Sequence, residues 1–282
     1  MIAVAGGLGA ALMWAASTLC SSRSSRMLGA ASVLAWVMTT GLVLNLFLLA
    51  VTRPVRPTQA ATIGWLGVVA VGNLVGLLLV YSALRIGKVG VVAPLASTEG
   101  ALAALLAVAA GEQITTATTL VLAVIAAGVV LAAAAPEERP VIGEHKTRAA
   151  VLALLAAVSF AFGLYATGHV SSSVALPWLL LAPRLLGVVA IAIPLALTRS
   201  LRLTRRAVPL VVGAGISEVV GVASYAIGSR HGVAISAVLA SQFAAFAAVG
   251  AYILFRETLT RLQLYGVTIV IVGVATLTAV LI

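Results

Sequence analysis

Apolar stretches of about 20 residues follow one another along the whole chain, with short polar breaks between them. A hydrocarbon core about 30 Å thick needs roughly 20 such residues per helix, so each stretch can cross a membrane. Of the 282 residues, 62% are hydrophobic and 9% are charged, whereas a soluble domain is about half apolar and about a quarter charged. The chain is therefore predicted to be an all-α integral membrane protein, which excludes a soluble enzyme, a disordered chain and a disulfide scaffold.

Clusters of Arg, Pro, Gly and Ser mark the ends of ten predicted membrane helices. The predicted spans are residues 2–20, 29–51, 61–83, 90–110, 117–135, 148–169, 175–197, 208–228, 233–254 and 262–281. The longest break, residues 136–148, separates a five-helix half at residues 1–135 from another at residues 149–282. The uncharged start is interpreted as the first membrane helix, because a signal peptide needs a basic segment before its apolar stretch.

The charged residues exclude several classes of function. Seventeen Lys and Arg residues against seven acidic residues give a net charge of +10. The basic residues lie mostly in short loops, where they orient helices in the membrane, and form no basic helix for nucleic acid. The sequence contains no Asp, no phosphate-binding loop and no HExxH motif, and its one cysteine, Cys20, matches no metal-ligand spacing. Neither enzymatic activity nor a metal or cofactor is predicted.

The two halves carry the same motifs in the same order. The first has Tyr81, Leu95-Ala96-Ser97 and Glu112, and the second has Tyr225, Leu239-Ala240-Ser241 and Glu257. The distance from Tyr to Leu-Ala-Ser is identical in both halves. A repeat with an odd number of spans must be inverted in the membrane, and inverted repeats are typical of secondary transporters with a substrate site near the midplane. The predicted fold is thus two inverted five-helix repeats.

These motifs resemble a known family. The segments Tyr81-Ser-Ala-Leu-Arg85, Val92-Ala-Pro94-Leu and Gly111-Glu112 resemble the first-half signature of EamA-type transporters, in the drug/metabolite transporter superfamily. The second half repeats it as Tyr225-Ala-Ile-Gly, Ala237-Val-Leu-Ala-Ser241 and Arg256-Glu257-Thr-Leu. The resemblance implies transport of a solute, often export of amino acids or other metabolites, without ATP. The first span lacks the Glu of the four-helix small multidrug resistance relatives, so their cationic-drug mechanism is not implied.

Three ionisable residues fall inside predicted spans: Glu99, Arg184 and Glu218. A charge at the bilayer centre costs about 2.5–3.5 kcal/mol, so such residues usually face a cavity or a partner. Glu99 lies near the middle of the fourth span, and burial favours its protonated form. That suits a proton-coupling carboxylate or a site for a substrate amine. The alternative is a neutral Glu that is hydrogen-bonded to a neighbouring helix.

Arg184 and Glu218 lie at matching depths in consecutive antiparallel spans. Each is about ten residues from the start of its span, so a direct ion pair is geometrically possible. The favoured interpretation is a structural pair, because a buried charge without a partner is costly. The alternative is that both bind substrate.

Further polar and aromatic residues at similar depths are candidates for the lining of a central cavity. They are Trp14, Asn73, Tyr81, Ser97, Thr98, Tyr165, Tyr225 and Gln242. The alternative for Trp and Tyr is an interfacial belt, and for the glycine-rich segment around Asn73 it is helix packing. Glu112 and Glu257 lie at loop edges, where a structural role in the turn is favoured over transport chemistry.

The predicted function is secondary transport by alternating access in the cell membrane, with export of a small metabolite such as an amino acid and with protons as a candidate coupling ion. The alternatives are a lipid or lipid-carrier flippase and a non-transporting scaffold subunit, which would lack a polar cavity at the midplane. Most Lys and Arg residues lie in loops that follow odd-numbered spans, so the positive-inside rule places both termini outside. The family resemblance suggests both inside; both arguments place the two termini on one side.

Overall fold

The computed structural model describes residues 1–87, 89–133, 145–255 and 261–280. Within these ranges all regular secondary structure is helical, and the helices form ten apolar spans, as the sequence predicts. Spans 1 to 5 are Ile2–Leu28, Ala30–Thr52, Ala60–Ile86, Val89–Ala109 and Thr116–Ala133. Spans 6 to 10 are Lys146–Val170, Leu176–Leu197, Val208–Ser229, Val233–Phe255 and Arg261–Val280. Seven helices in the described part are long and apolar enough to cross a membrane.

Some of the predicted features lie outside the described residues. These are Lys88, residues 136–144 of the predicted inter-half loop, and the Arg256-Glu257 part of the second-half motif.

Spans 4 and 9 are interrupted at corresponding places, where the sequence predicted continuous helices. Span 4 consists of Val89–Ala96 and Glu99–Ala109, and span 9 consists of Val233–Ala240 and Phe243–Phe255. Each break follows directly on the shared Leu-Ala motif. Polar side chains at the breaks satisfy carbonyl groups that a helix end leaves free. The Ser97 hydroxyl donates to the Pro94 carbonyl at 2.7 Å.

Span 7 is the third irregular helix. A π-helical turn, Val188–Ala192, joins Leu176–Gly187 to Ile193–Leu197. Pro194 is the second residue after this turn and has no backbone N–H to donate, so the regular hydrogen-bond ladder cannot run through it.

The spans pair mainly across the two halves of the chain. Span 1 packs most extensively on span 8, and span 3 packs most extensively on span 6. Spans 2 and 7, 4 and 9, and 5 and 10 also pair. If each span is replaced by its counterpart in the other half, the pair of spans 1 and 8 becomes the pair of spans 6 and 3. The pairs 2 and 7, 4 and 9, and 5 and 10 each map onto themselves. Each half therefore buries its helices against the other half.

Glycines under aromatic rings let the two largest helix pairs approach closely. A Cβ at Gly221 in span 8 would lie 2.5 Å from Nε1 of Trp14 in span 1. A Cβ at Gly76 in span 3 would lie 2.5 Å from the Phe160 ring in span 6. Cβ atoms essentially never approach other atoms this closely, so a larger residue at either position would force the ring to move. The segment around Asn73 thus packs against a helix, as its glycines indicate.

Candidate substrate site

A cavity of about 70 Å³ lies in the centre of the bundle, between spans of both halves. At roughly 10–15 Å³ per water molecule, it has room for about five waters. Six of the residues predicted from the sequence line it: Trp14, Asn73, Tyr81, Glu99, Glu218 and Tyr225. These six residues contribute two carboxylates, an amide and three aromatic rings.

Glu99 is the first residue after the break in span 4. Its side chain is 3% exposed, and its Oε2 atom has no hydrogen-bond partner among the described residues. The backbone N–H groups at the start of the segment Glu99–Ala109 have no partner within that segment. Phe243 holds the corresponding place in span 9 and also lines the cavity. Both breaks thus present their first helical residue to the cavity.

Asn73 connects Arg184 to Glu218. Arg184 Nη1 donates to Asn73 Oδ1 at 3.0 Å, and Asn73 Nδ2 donates to Glu218 Oε1 at 3.3 Å. The sequence predicted a direct ion pair; the contact instead runs through the amide, which accepts from the cation and donates to the carboxylate. Span 3 thus supplies a third residue between the two charges.

Gly41 in span 2 makes room for the Arg184 side chain. A Cβ at Gly41 would lie 2.8 Å from Cδ of Arg184. The arginine is fully buried, and it lies behind Asn73 rather than in the cavity lining. Its Nε and Nη2 atoms have no hydrogen-bond partner within the described part of the chain.

The aromatic residues of the cavity have different polar environments. Tyr225 donates its hydroxyl to the Leu164 carbonyl at 3.0 Å, which fastens span 8 to span 6. Its ring lies 6.2 Å from that of Trp14, tilted by 36°. The Tyr81 hydroxyl and the Trp14 Nε1 are buried without a partner among the residues that the structure describes. Buried polar groups are normally hydrogen-bonded, so these two groups are available to a ligand.

Ser97, Thr98 and Gln242 lie outside the cavity lining, although the sequence placed them in it. Their side chains bond to carbonyls at the helix breaks: Thr98 to Leu95 at 2.8 Å and Gln242 to Val238 at 2.9 Å. Polar residues at a break close the end of their own helix first. They shape the site through the backbone and do not line it.

Tyr165 also lies apart from the cavity lining. It packs edge-on against Trp65, with ring centroids 5.9 Å apart, and it lies 6.0 Å from the ring of His169. This aromatic group is formed by spans 3 and 6. Tyr165 therefore packs against neighbouring rings and does not line the cavity.

Three hydroxyl residues of the lining were not predicted: Ser17, Thr18 and Thr167. Ser17 lies one helical turn from Trp14, on the same face of span 1. This spacing is the feature of the sequence that could have indicated Ser17 as a lining residue. A hydroxyl in an apolar span is weak evidence on its own, because it can bond to its own backbone. Nothing in the sequence distinguishes Phe160 and Phe243, which also line the cavity, from the other apolar residues of their spans.

Glu112 joins the two halves outside the cavity. Its carboxylate oxygens accept the backbone N–H of Ala234, at the start of span 9, at 3.2 and 3.3 Å. A carboxylate at the first turn of a helix accepts hydrogen bonds from free N–H groups, and the helix dipole stabilises its negative charge. The contact is structural, in agreement with the role that its loop position favours.

The fold and the site define a multi-pass membrane protein with a polar cavity inside the bundle. Residues 1–134 match the EamA-like transporter family. This match confirms the predicted resemblance over that part of the chain, is consistent with the drug/metabolite transporter superfamily, and supports a membrane transporter of that type.

Comparison with known proteins also supports the fold. A chain described only by the words "Crystal structure of protein" has a TM-score of 0.75 and 19% sequence identity, covering 99% of this chain and 96% of that chain. At this identity the likeness shows the fold alone. No curated protein matches the sequence.

Proposed function

We propose that the chain is a secondary transporter that exports a small polar metabolite such as an amino acid, by alternating access and without ATP. The observation that carries the proposal is the Glu99 carboxylate, buried in a central cavity with one oxygen unpartnered among the described residues. A buried ionisable group inside a membrane is costly and marks a solute or proton pathway by default. Glu99 is the candidate coupling or binding group.

The cavity chemistry suits a small zwitterion. Glu99 and Glu218 supply carboxylates for an amine, and Arg184 supplies a positive charge on the far side of Asn73. The rings of Trp14 and Tyr225 offer an apolar face for a side chain. The two carboxylates of the lining favour a substrate that carries an amine.

Spans of both halves line the cavity. A movement of one half relative to the other would therefore change access to the cavity from each side of the membrane. A secondary transporter does this by rocking one half against the other around a fixed site.

We infer that residues 1–135 and 149–282 form two inverted repeats, joined by residues 136–148. Two observations support this: the contact of spans 1 and 8 has its counterpart in spans 3 and 6, and the breaks of spans 4 and 9 follow the same motif. Interrupted helices at corresponding places in two halves are typical of transporter binding sites.

The inverted arrangement predicts the sides of two segments. Reporter fusions at residue 282 and within the 136–148 loop are expected to lie in opposite compartments, because five spans separate them. Paired fluorescent-protein and alkaline-phosphatase fusions measure this, since each is active on one side of the membrane only. The fusion at residue 282 also decides between the charge count and the family resemblance. The same compartment for both positions would contradict the ten-span layout.

Transport itself is tested with purified protein in liposomes. Uptake of a panel of amino acids and sugars, with and without a pH gradient, is expected to show at least one amino acid crossing faster than in empty liposomes. A proton-coupled step predicts that the gradient increases the flux and that a protonophore cancels the increase. Flux equal to that of empty liposomes for the whole panel would favour a non-transporting scaffold. The polar cavity weighs against that scaffold, and a lipid-scrambling assay on the same liposomes tests the flippase alternative.

A further inference from the structure

A second and wider groove, of about 480 Å³, lies at the end of the bundle where span 1 meets span 2. The last turn of span 3 and the loop after span 7 complete it. Three arginines line this groove, Arg26, Arg85 and Arg202, together with the serines Ser32, Ser82 and Ser200. Among the described residues, no carboxylate lines the groove. The groove therefore concentrates positive charge.

Arg26 is fixed to the end of span 3. Its Nε donates to the Leu84 carbonyl at 3.4 Å, and its Nη2 donates to the Gly87 carbonyl at 3.0 Å. A cation at a helix C-terminus is favoured by the free carbonyls and the dipole. Arg26 thus forms part of one wall of the groove and contributes positive charge to the groove.

Arg202 is held at the groove by its backbone. Its N–H donates to the Ser32 hydroxyl at 3.2 Å, and its carbonyl accepts from Trp36 Nε1 at 3.0 Å. These contacts fasten the loop to span 2, while the arginine side chain is exposed. Arg85 is exposed in the last turn of span 3. Within the described part of the chain, no hydrogen bond uses either guanidinium group.

Apolar side chains are exposed beside these charges. Leu203 is 43% exposed, Leu197 is 79% exposed and Met27 is 40% exposed. All three lie in the last turn of a span or in the loop that follows it. Basic residues interleaved with exposed apolar ones are typical of a segment that lies at a membrane surface.

We propose that this groove binds an anionic phospholipid, with Arg85 and Arg202 on the headgroup phosphate and Leu203 and Met27 against its acyl chains. The planar guanidinium matches phosphate oxygens with two parallel hydrogen bonds. A free phosphate ion shares this chemistry but would make no use of the apolar rim. The proposal does not depend on which solute the central cavity carries.

The test measures lipid bound to the purified full-length protein by native mass spectrometry. The protein is titrated with phosphatidylglycerol or with phosphatidylcholine of the same acyl chains, and phosphatidylglycerol is expected to bind more tightly. Arg85→Gln/Arg202→Gln should weaken its binding about 30-fold, at about fivefold for each basic residue near an anionic surface. The matched control, Arg53→Gln/Arg56→Gln, removes the same charge from the exposed loop after span 2, at the opposite end of the bundle. It should keep the wild-type affinity.

Equal binding of the two lipids, or unchanged affinity in the Arg85 and Arg202 double variant, would overturn the proposal. If inorganic phosphate displaces phosphatidylglycerol with comparable affinity, the groove takes a free phosphate and the lipid assignment is wrong. Lipid-free melting temperatures check that the variants fold. If the double variant does not fold, Arg85→Gln alone carries the test, with an expected loss of about fivefold.

Discussion

Glu99→Gln is expected to abolish transport driven by a pH gradient while leaving the fold intact. Glutamine keeps the shape of the side chain and resembles the protonated acid, so the buried site loses little packing. It cannot release a proton, however, and a substrate that binds only one protonation state can then no longer exchange against protons. Gradient-driven flux in liposomes reconstituted with the variant measures the loss. Substrate-for-substrate exchange without a gradient needs no proton release and is expected to survive.

Glu112→Gln is the matched control for this experiment. It makes the same substitution at a carboxylate outside the cavity, and its remaining side-chain oxygen can still accept the Ala234 N–H. The control should transport as the wild type does. If the Glu99 variant keeps wild-type flux with the same pH profile, Glu99 has no part in coupling and is a structural acid.

The second large effect concerns Arg184 and Glu218. Arg184→Met or Glu218→Gln alone is expected to lower the yield of folded protein sharply, because removing one partner of a buried pair typically costs about 3–5 kcal/mol. In Arg184→Met the carboxylate loses the cation behind Asn73, and in Glu218→Gln the fully buried guanidinium loses its counter-charge. The double variant should recover part of the yield, since neither charge is then left alone.

Asn73 allows a sharper version of the same experiment. Arg184 and Glu218 communicate through its amide, so Asn73→Ala should reduce the coupling that the double-mutant cycle measures. Melting temperature and the monodisperse fraction in size-exclusion chromatography report folding, with exposed Arg56→Met as the control for the loss of an arginine. If the losses of the two single variants simply add, the residues are not partners, and separate roles in the cavity become the better explanation.

The sequence predicted span positions well, because a membrane imposes length and apolarity on each helix. Span 8, predicted at 208–228, is Val208–Ser229. Span 1 was ended too early, at residue 20, because the Ser and Arg residues that follow resemble a loop. The helix continues to Leu28, since the Ser24 hydroxyl bonds to the Cys20 carbonyl at 2.9 Å. Short polar side chains that bond to their own helix do not end it.

The site residues that the sequence predicted correctly are those whose charge is unusual in an apolar span. Glu99 and Glu218 are conspicuous in apolar spans, and both line the cavity. Polarity alone did not separate a cavity residue from one that closes a helix break, as Gln242 does. The position of Asn73 between two charges depends on how three spans meet, which no pattern along a single span encodes.

The pairing of span 1 with span 8 has a consequence for how the chain is made. Val208 is synthesised only after spans 2 to 7, on the order of ten seconds or more after Leu28 at about 5–20 residues per second. Until then Trp14 cannot pack on Gly221, and the small-residue face of span 1 contacts lipid or other spans. The nascent protein must therefore hold inserted helices in loose association, and the bundle closes late. During that interval, the uncovered face of span 1 is the feature by which membrane chaperones and proteases can distinguish an unfinished molecule from a finished one.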